Sequence, residues 1–504
     1  MARNFVIAFG GTGVRCAEAL AYLCASRSIR EPVHVLLVDP DASNGNVDLA
    51  HAQLQRYYAL QSQVRPDPAG RAFFSTPLNA DMGPESFLWE YPNQHQQFST
   101  LIDYSSQQAS HQQLLQLLYD QDDLDLSFEK GYIGRAHIGS LDLLRTLRRA
   151  LETAAAEKEG EEANNADPLR VFFRALRASA QGKGETNLLV YGSVFGGTGA
   201  SGLPTVPPLI QQVLPKLHDR IRMGCVQVAP YFSFPEGQSR DPDSALHPLA
   251  TQAALYHYAF ASSGYHRIYL VGAPDRVETN TENRPGGIDQ RNQAHYVELG
   301  AALAGAHFFD APPNAAPAAE VFATGTREAG WAALPHGRET EVRRNLVSFA
   351  TFCMLHTHFL YDDLRAGKHQ GAKWTYDLAA VAGRSLGGQE PELEQQRSFA
   401  HRFLQWANQV QHTADERLFN LPDRPSAGHL AELSGGGRVD PDAYHRVIAR
   451  LNRLERLNQP TAAGWYIDGA TRRRRARSSA PSSPAFRCGS SPVSFTTSSA
   501  TCAR

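Results

Sequence analysis

Val190–Val206 reads VYGSVFGGTGASGLPTV. The β-prone apolar run Leu188–Tyr191 feeds Gly192-Ser193-Val194-Phe195, then Gly196-Gly197-Thr198-Gly199-Ala200-Ser201-Gly202, and the pattern turns helical through Leu209–Leu217. This is a glycine-rich turn between a buried strand and a helix N-terminus. Such a turn aims backbone N–H groups, hydroxyls and a helix dipole at one point, which suits a phosphate chain. The competing reading is a structural turn that touches no ligand. No Gly-Lys-Ser/Thr follows, so the turn is not a P-loop.

A second copy lies near the N-terminus. Phe5–Phe9 reads as a short buried strand, and Gly10-Gly11-Thr12-Gly13-Val14-Arg15 opens a helical pattern to about Ala25. Val33–Asp39 (VHVLLVD) follows as a second buried strand, leading into Pro40-Asp41-Ala42-Ser43-Asn44. Strand, glycine turn, helix and strand make a βαβ start, which right-handed crossover closes into a parallel pair. A dinucleotide-binding Rossmann unit shows the same pattern, with an acidic residue at the end of its second strand to hold ribose. Asp39 therefore has three readings: beside phosphate and Mg²⁺, on ribose hydroxyls, or at a solvated strand end.

Together these residues resemble the tubulin/FtsZ superfamily of GTP-binding proteins, and among them divergent bacterial tubulin-like proteins. The family's phosphate loop has the form GGGTGSG, and Phe195–Gly202 reads FGGTGASG. Phe195 replaces the first glycine and one residue separates Gly199 from Ser201. The resemblance covers roughly residues 1–310. It implies a doubly wound, mostly parallel α/β sheet that binds GTP or GDP with Mg²⁺. Gly196, Gly197, Thr198, Gly199 and Ser201 would hold the phosphates, with Gly10, Gly11, Thr12, Gly13 and Arg15 as the opposing wall. It implies self-assembly into a homo-oligomer or filament in a cytoskeletal or membrane-remodelling apparatus, with peripheral membrane association as one form of that role.

Gly131–Gly139 (GYIGRAHIG) is a third glycine cluster, followed by Ser140 as an N-cap and helical spacing over Leu141–Glu157. In the family a third loop senses the terminal phosphate, which implies roles for Gly134 and Arg135. The alternative is a capping turn with Arg135 in solvent. Ile221–Val228 and Ile268–Gly272 read as further strands, and Ala245–Ser262 as a helix. Asn292–Phe309 reads as a long helix. The family's central helix opens with an Asn or Asp that reads the guanine edge, which implies that role for Asn292, with Asp289 and His295 as neighbours; Asn292 also suits an N-cap. The family's acidic Asn-x-Asp-x-x-Asp/Glu loop beyond that helix is not matched. Asp310, Asn314 and Glu320 are present at other spacings. Hydrolysis, and its coupling to assembly, therefore lacks its sequence signature, and a non-hydrolysing nucleotide-bound scaffold is the rival. A NAD-dependent oxidoreductase is a weaker rival that rests on the first βαβ unit alone.

The rest of the 504 residues sets bounds. Hydrophobic content of 42% is ample for a core, and a formal net charge of −2 argues against general nucleic-acid binding. Six cysteines without a CxxC pair predict reduced thiols in a cytoplasmic protein. No apolar run approaches the ~20 residues that span a bilayer, and the N-terminus shows no signal-peptide pattern. A polar, Gln-rich stretch near 46–125 reads as an insertion with helices at Val47–Leu60 and Gln112–Leu118. Residues 311–470 read as a mainly helical second region, with helices over Arg343–Leu364, Glu392–Gln411 and Ala443–Leu457. There His356, His358 and Asp362 suggest metal ligands on paper, but residues two apart diverge on a helix. From Thr471 the chain becomes a basic, Ser/Pro/Ala-rich tail. It reads either as a disordered segment for an acidic or membrane partner, or as the product of a shifted reading frame.

Overall fold

In the computed structural model, residues 3–41, 43–62, 73–156, 167–233, 247–260, 263–273, 276–278, 290–312, 319–324, 329–334, 338–360, 390–419 and 421 are described. The first unit is strand β1 (Arg3–Phe9), helix α1 (Gly10–Ala25) and strand β2 (Val33–Val38). β1 and β2 pair in parallel from Asn4 opposite Val33 to Phe9 opposite Val38. On its other side β1 pairs with β4 (Thr186–Ser193), with Ala8 opposite Tyr191. β3 (Leu88–Trp89), β5 (Ile221–Val228), β7 (Arg267–Val271) and β9 (Glu320–Thr324) complete a seven-stranded parallel sheet in the order β3-β2-β1-β4-β5-β7-β9. β6 (Phe232–Ser233) and β8 (Val277–Glu278) form a small separate pair.

The central strands are buried on both faces, which is why they read as unbroken apolar runs. Alternate residues go to two cores. Val6, Ala8, Leu189 and Tyr191 face α1, α2 (Gly45–Gln61) and α10 (Tyr296–Asp310). Phe5, Ile7, Phe9, Leu188 and Val190 face α6 (Ala136–Ala156), α7 (Pro168–Gln181) and α8 (Gly197–Val213). The protein is thus α/β with a doubly wound parallel sheet. The strand order reverses between β1 and β4, where ligands enter such sheets.

Several elements depart from the sequence reading. The sheet does not end before residue 310: β9 pairs along β7 from Arg267 opposite Glu320 to Val271 opposite Thr324. The stretch near 46–125 contributes both to the main core and to the outside of the sheet. α2 packs on α1 and β3 lies in the main sheet, while α3 (Phe98–Leu101), α4 (Ala109–Leu118) and α5 (Gln121–Leu124) decorate the outside. α6 starts at Ala136, ahead of the expected cap Ser140, whose Oγ instead donates to the Ser201 carbonyl at 3.3 Å. α10 starts at Tyr296, and the His295 ring nitrogen, not Asn292, accepts from the Val297 amide. α9 (His247–Phe260) lies within its expected span.

α8 carries Pro204, Pro207 and Pro208 inside it. Each removes an intrahelical donor and orphans the carbonyl four residues earlier. Tyr265 answers one of these losses by donating its hydroxyl to Leu203 O, the acceptor that Pro207 leaves empty.

Beyond β9 the described part of the C-terminal region is mainly helical, with α11 (Glu339–Leu355), a π-turn at His356–Leu360 and α12 (Glu390–His412). It does not build a core of its own. Phe399, Phe403 and Trp406 of α12 pack their rings around Tyr22 of α1, with centroids 5.7, 5.1 and 4.9 Å away. The expected helix at Ala443–Leu457 and the tail lie outside the described residues. Cys16, Cys24, Cys225 and Cys353 are buried free thiols. Among the described residues no helix is long and apolar enough to cross a membrane.

The β1–β4 seam leaves no room for a side chain at Gly13 of α1. A Cβ at Gly13 would lie 2.8 Å from the Tyr191 carbonyl oxygen and 3.3 Å from Ala8 C, both backbone atoms. Gly13→Ala is therefore expected to cost about 1–3 kcal/mol in chemical denaturation; a variant as stable as the parent would contradict this packing.

Candidate functional site

A cleft partly open to solvent lies at the carboxyl ends of β1 and β4. Its floor is made by two helix N-termini. The residues before α1 and α8 are Phe9 and Gly196; neither gives a side-chain cap, and neither helix has an acidic residue in its first turn. The first-turn amides are thus not occupied by their own caps, and both helix dipoles favour negative charge here.

The two turns touch. Gly10 has φ +71°, a backbone open to glycine, and a Cβ there would lie 3.1 Å from Thr198 Cβ and 3.2 Å from the Gly199 amide nitrogen. The third glycine cluster closes against them: a Cβ at Gly197 would meet the Gly134 amide and Tyr132, each at 3.0 Å. Tyr132 is fixed from behind, its hydroxyl 2.9 Å from Asp142 Oδ2 in a buried network with Tyr91.

The loop after β2 supplies the carboxylates. Asp39 is 5% exposed and accepts from the Asp41 amide (3.2 Å), Asn44 Nδ2 (3.3 Å) and Thr198 Oγ1 (3.4 Å). Burial first, and the neighbouring Asp41 second, push its carboxyl up to about 7. On the far side Asn292 lines the cleft, and its buried Oδ1 has no hydrogen-bond partner among the described residues.

The structure brings Gly10, Gly11, Thr12, Asp39, Gly134, Gly196, Gly197, Thr198, Gly199 and Asn292 to this one cleft. It takes four expected residues elsewhere. Gly13 is packed against β4. Ser201 lies one turn along α8, with Oγ 2.6 Å from Gly197 O and 3.1 Å from Ala136 O, so it braces helices rather than facing the cleft. Arg135 turns outward to Asp123, Nε to Oδ1 at 2.9 Å, and His137 shares that carboxylate. Arg15 is 3% exposed and donates from Nε to Glu298 Oε1 at 2.8 Å. Asp289 and Asp362 lie outside the described residues.

Lining residues that the sequence reading did not single out include Lys130, Asn46, Phe195, Phe232, His247 and Gln290. Lys130 directly precedes the third glycine cluster, so its position was available in the sequence. It is the one lysine or arginine among the described residues of the cleft. Asn46 gave no local signal. Among the described residues no group of three or more His, Cys, Asp and Glu could hold a metal ion. His356 is fully buried on the inner face of its turn, next to Phe352. Comparisons with known family profiles and with curated proteins find no match to this chain.

The raised Asp39 carboxyl has a defined pH signature. Its folded pKa lies above its unfolded value, so its contribution to stability is full below about pH 4 and is lost as pH rises through about 7. Asp39→Asn is expected to raise the melting temperature of the ligand-free protein at pH 8 and to raise it much less at pH 5. Equal melting-temperature changes at both pH values would contradict the assignment.

Proposed function

We propose that the cleft binds a guanine nucleotide with Mg²⁺. The observation that carries this is the pairing of two uncapped helix N-termini at one end of the cleft with a buried acceptor, Asn292 Oδ1, unpaired among the described residues, at the other. The first suits phosphates. The second needs a donor, which the N1–H and N2–H₂ of guanine supply. Asp39 and Asp41 would put two carboxylates beside those phosphates, an arrangement that calls for a cation. Mg²⁺ is usually held by one or two carboxylates together with substrate phosphates, so a three-ligand cage is not required. Lys130 adds a positive charge at the rim. The likeness of Phe195–Gly202 and Gly10–Arg15 to the tubulin/FtsZ phosphate loops supports the same reading.

A dinucleotide fold shares this strand order. Against NAD stand the second glycine turn and the engagement of Asp39 with Thr198 and Asn44, which turns the carboxylate toward the phosphate end.

Asn292→Ala is expected to weaken GTP about 10- to 100-fold, the cost of one or two hydrogen bonds at about 1.4 kcal/mol per decade, and to leave inorganic triphosphate unaffected. Chelation of Mg²⁺ weakens both ligands. Equal affinity for GTP and ATP in the parent protein would contradict the guanine assignment.

Whether bound GTP is hydrolysed in a self-assembled filament is a separate matter, and one observation favours a non-hydrolysing scaffold. Beyond α10, Asp310 is paired with Arg338 at 2.8 Å and Glu320 with Arg267 at 2.7 Å. Both carboxylates are engaged within the chain, and Asn314 lies outside the described residues. Turnover per molecule should then stay near zero and independent of protein concentration. A steep rise accompanied by light scattering would instead establish the self-assembling GTPase.

A further inference from the structure

Arg15 follows a glycine turn by two residues, yet its guanidinium does not reach the cleft. It lies one turn down α1, where the main chain of Asn292–Tyr296 crosses. Nη2 donates to Gln293 O at 2.6 Å, Nη1 donates to Asn292 O, and Nη1 lies 3.2 Å from Asn46 Oδ1. Asn46 Oδ1 also accepts from the Asn292 amide at 3.0 Å. Glu298, 1% exposed, fixes the guanidinium from the other side and takes a further bond from Tyr231 Oη at 3.0 Å.

The same strand of chain is held from its opposite side by α12 and the turn that follows it. Gln409 Oε1 accepts from the Ala294 amide and Thr413 Oγ1 from the Tyr296 amide, both at 2.8 Å. Residues 292–295 are not in a helix or strand, so these side chains stand in for the ladder that would otherwise fix them.

We propose that Arg15 is a positioning residue for base recognition. With Glu298 as its anchor, it clamps the backbone of Asn292 so that the amide faces the cleft, and Gln409 completes the clamp from the C-terminal region. A planar fork suits this task because it reaches two carbonyls and a carboxylate at once; an ammonium is a single point charge on a flexible stem. The inference rests on the reading of the cleft as a nucleotide site. It assigns Arg15 to the base end, through Asn292, rather than to the phosphates.

The test compares GTP with inorganic triphosphate, both with Mg²⁺, by calorimetric titration of the full chain. Arg15→Lys keeps the charge beside Glu298 and loses the fork. It is expected to weaken GTP about tenfold while triphosphate affinity stays within twofold. Gln409→Ala lies away from the cleft and is expected to weaken GTP about threefold, again without effect on triphosphate. If Arg15→Lys does not fold, the Gln409→Ala comparison decides alone. An equal loss for both ligands, or unchanged GTP binding in a folded variant, overturns the role of Arg15 and leaves the nucleotide site standing. Absence of GTP binding in the parent protein overturns both.

Discussion

Everything at the cleft depends on the close approach of two helix N-termini across the seam between β1 and β4. The two strands are neighbours in the sheet, so the helices that leave them start side by side. Gly10 and Thr198–Gly199 then meet backbone to backbone, at distances where a Cβ would already crowd its neighbours. The positive ends of two helix dipoles are thereby held together with their caps missing. That arrangement is unfavourable when empty, because like partial charges face each other, and an anion relieves it. Asp39 and Asp41 work against an anion alone. Burial and the neighbouring Asp41 hold the Asp39 carboxyl high, and a cation beside the two carboxylates would lower it.

A second constraint lies behind the first. Arg15–Glu298 and Arg402–Glu18 are ion pairs buried on the α1 face that looks away from the sheet. Buried pairs seldom add net stability, but removing one partner strands the other charge at a cost of about 3–5 kcal/mol. These pairs therefore act as specifiers. Arg402 Nε meets Glu18 Oε1 at 2.8 Å and so fixes where α12 lies on α1, beside the rings that surround Tyr22. Arg15 fixes where the chain before α10 crosses. Both ties join residues some 280 or more positions apart in the chain, and both end within a few residues of the glycine turn. The C-terminal helix belongs to the same core as the sheet, and its position and that of the chain before α10 are set together.

Local pattern in the sequence was enough for the central strands and for both glycine turns, because apolar runs ending in GGTG have few other uses. It was enough to place ten of the cleft residues. It failed where the deciding partner is distant. Arg15 reads as a phosphate ligand from its spacing, and only Glu298, 283 residues away, shows otherwise. The start of α6 was hidden by Gly139, which looks like a helix breaker; its missing side chain makes room for the Tyr132 ring and Ser201 Oγ, both closer than 3 Å to where a Cβ would be. Asn292 resembles an N-cap in isolation, but the chain stays extended until His295, which is held by contacts from α12. β9 was missed because EVFAT is short, polar at its start and preceded by a proline-rich run, so its edge position carries little hydrophobic signal.

The most direct measurement is the identity of the nucleotide carried by the purified protein. Heat-released ligand, separated by anion-exchange chromatography, should be GDP or GTP at close to one per chain, and Asp39→Asn should change the amount but not the base. Recovery of NAD or of an adenine nucleotide in its place would contradict the account, as would an empty protein that fails to take up added GTP with Mg²⁺.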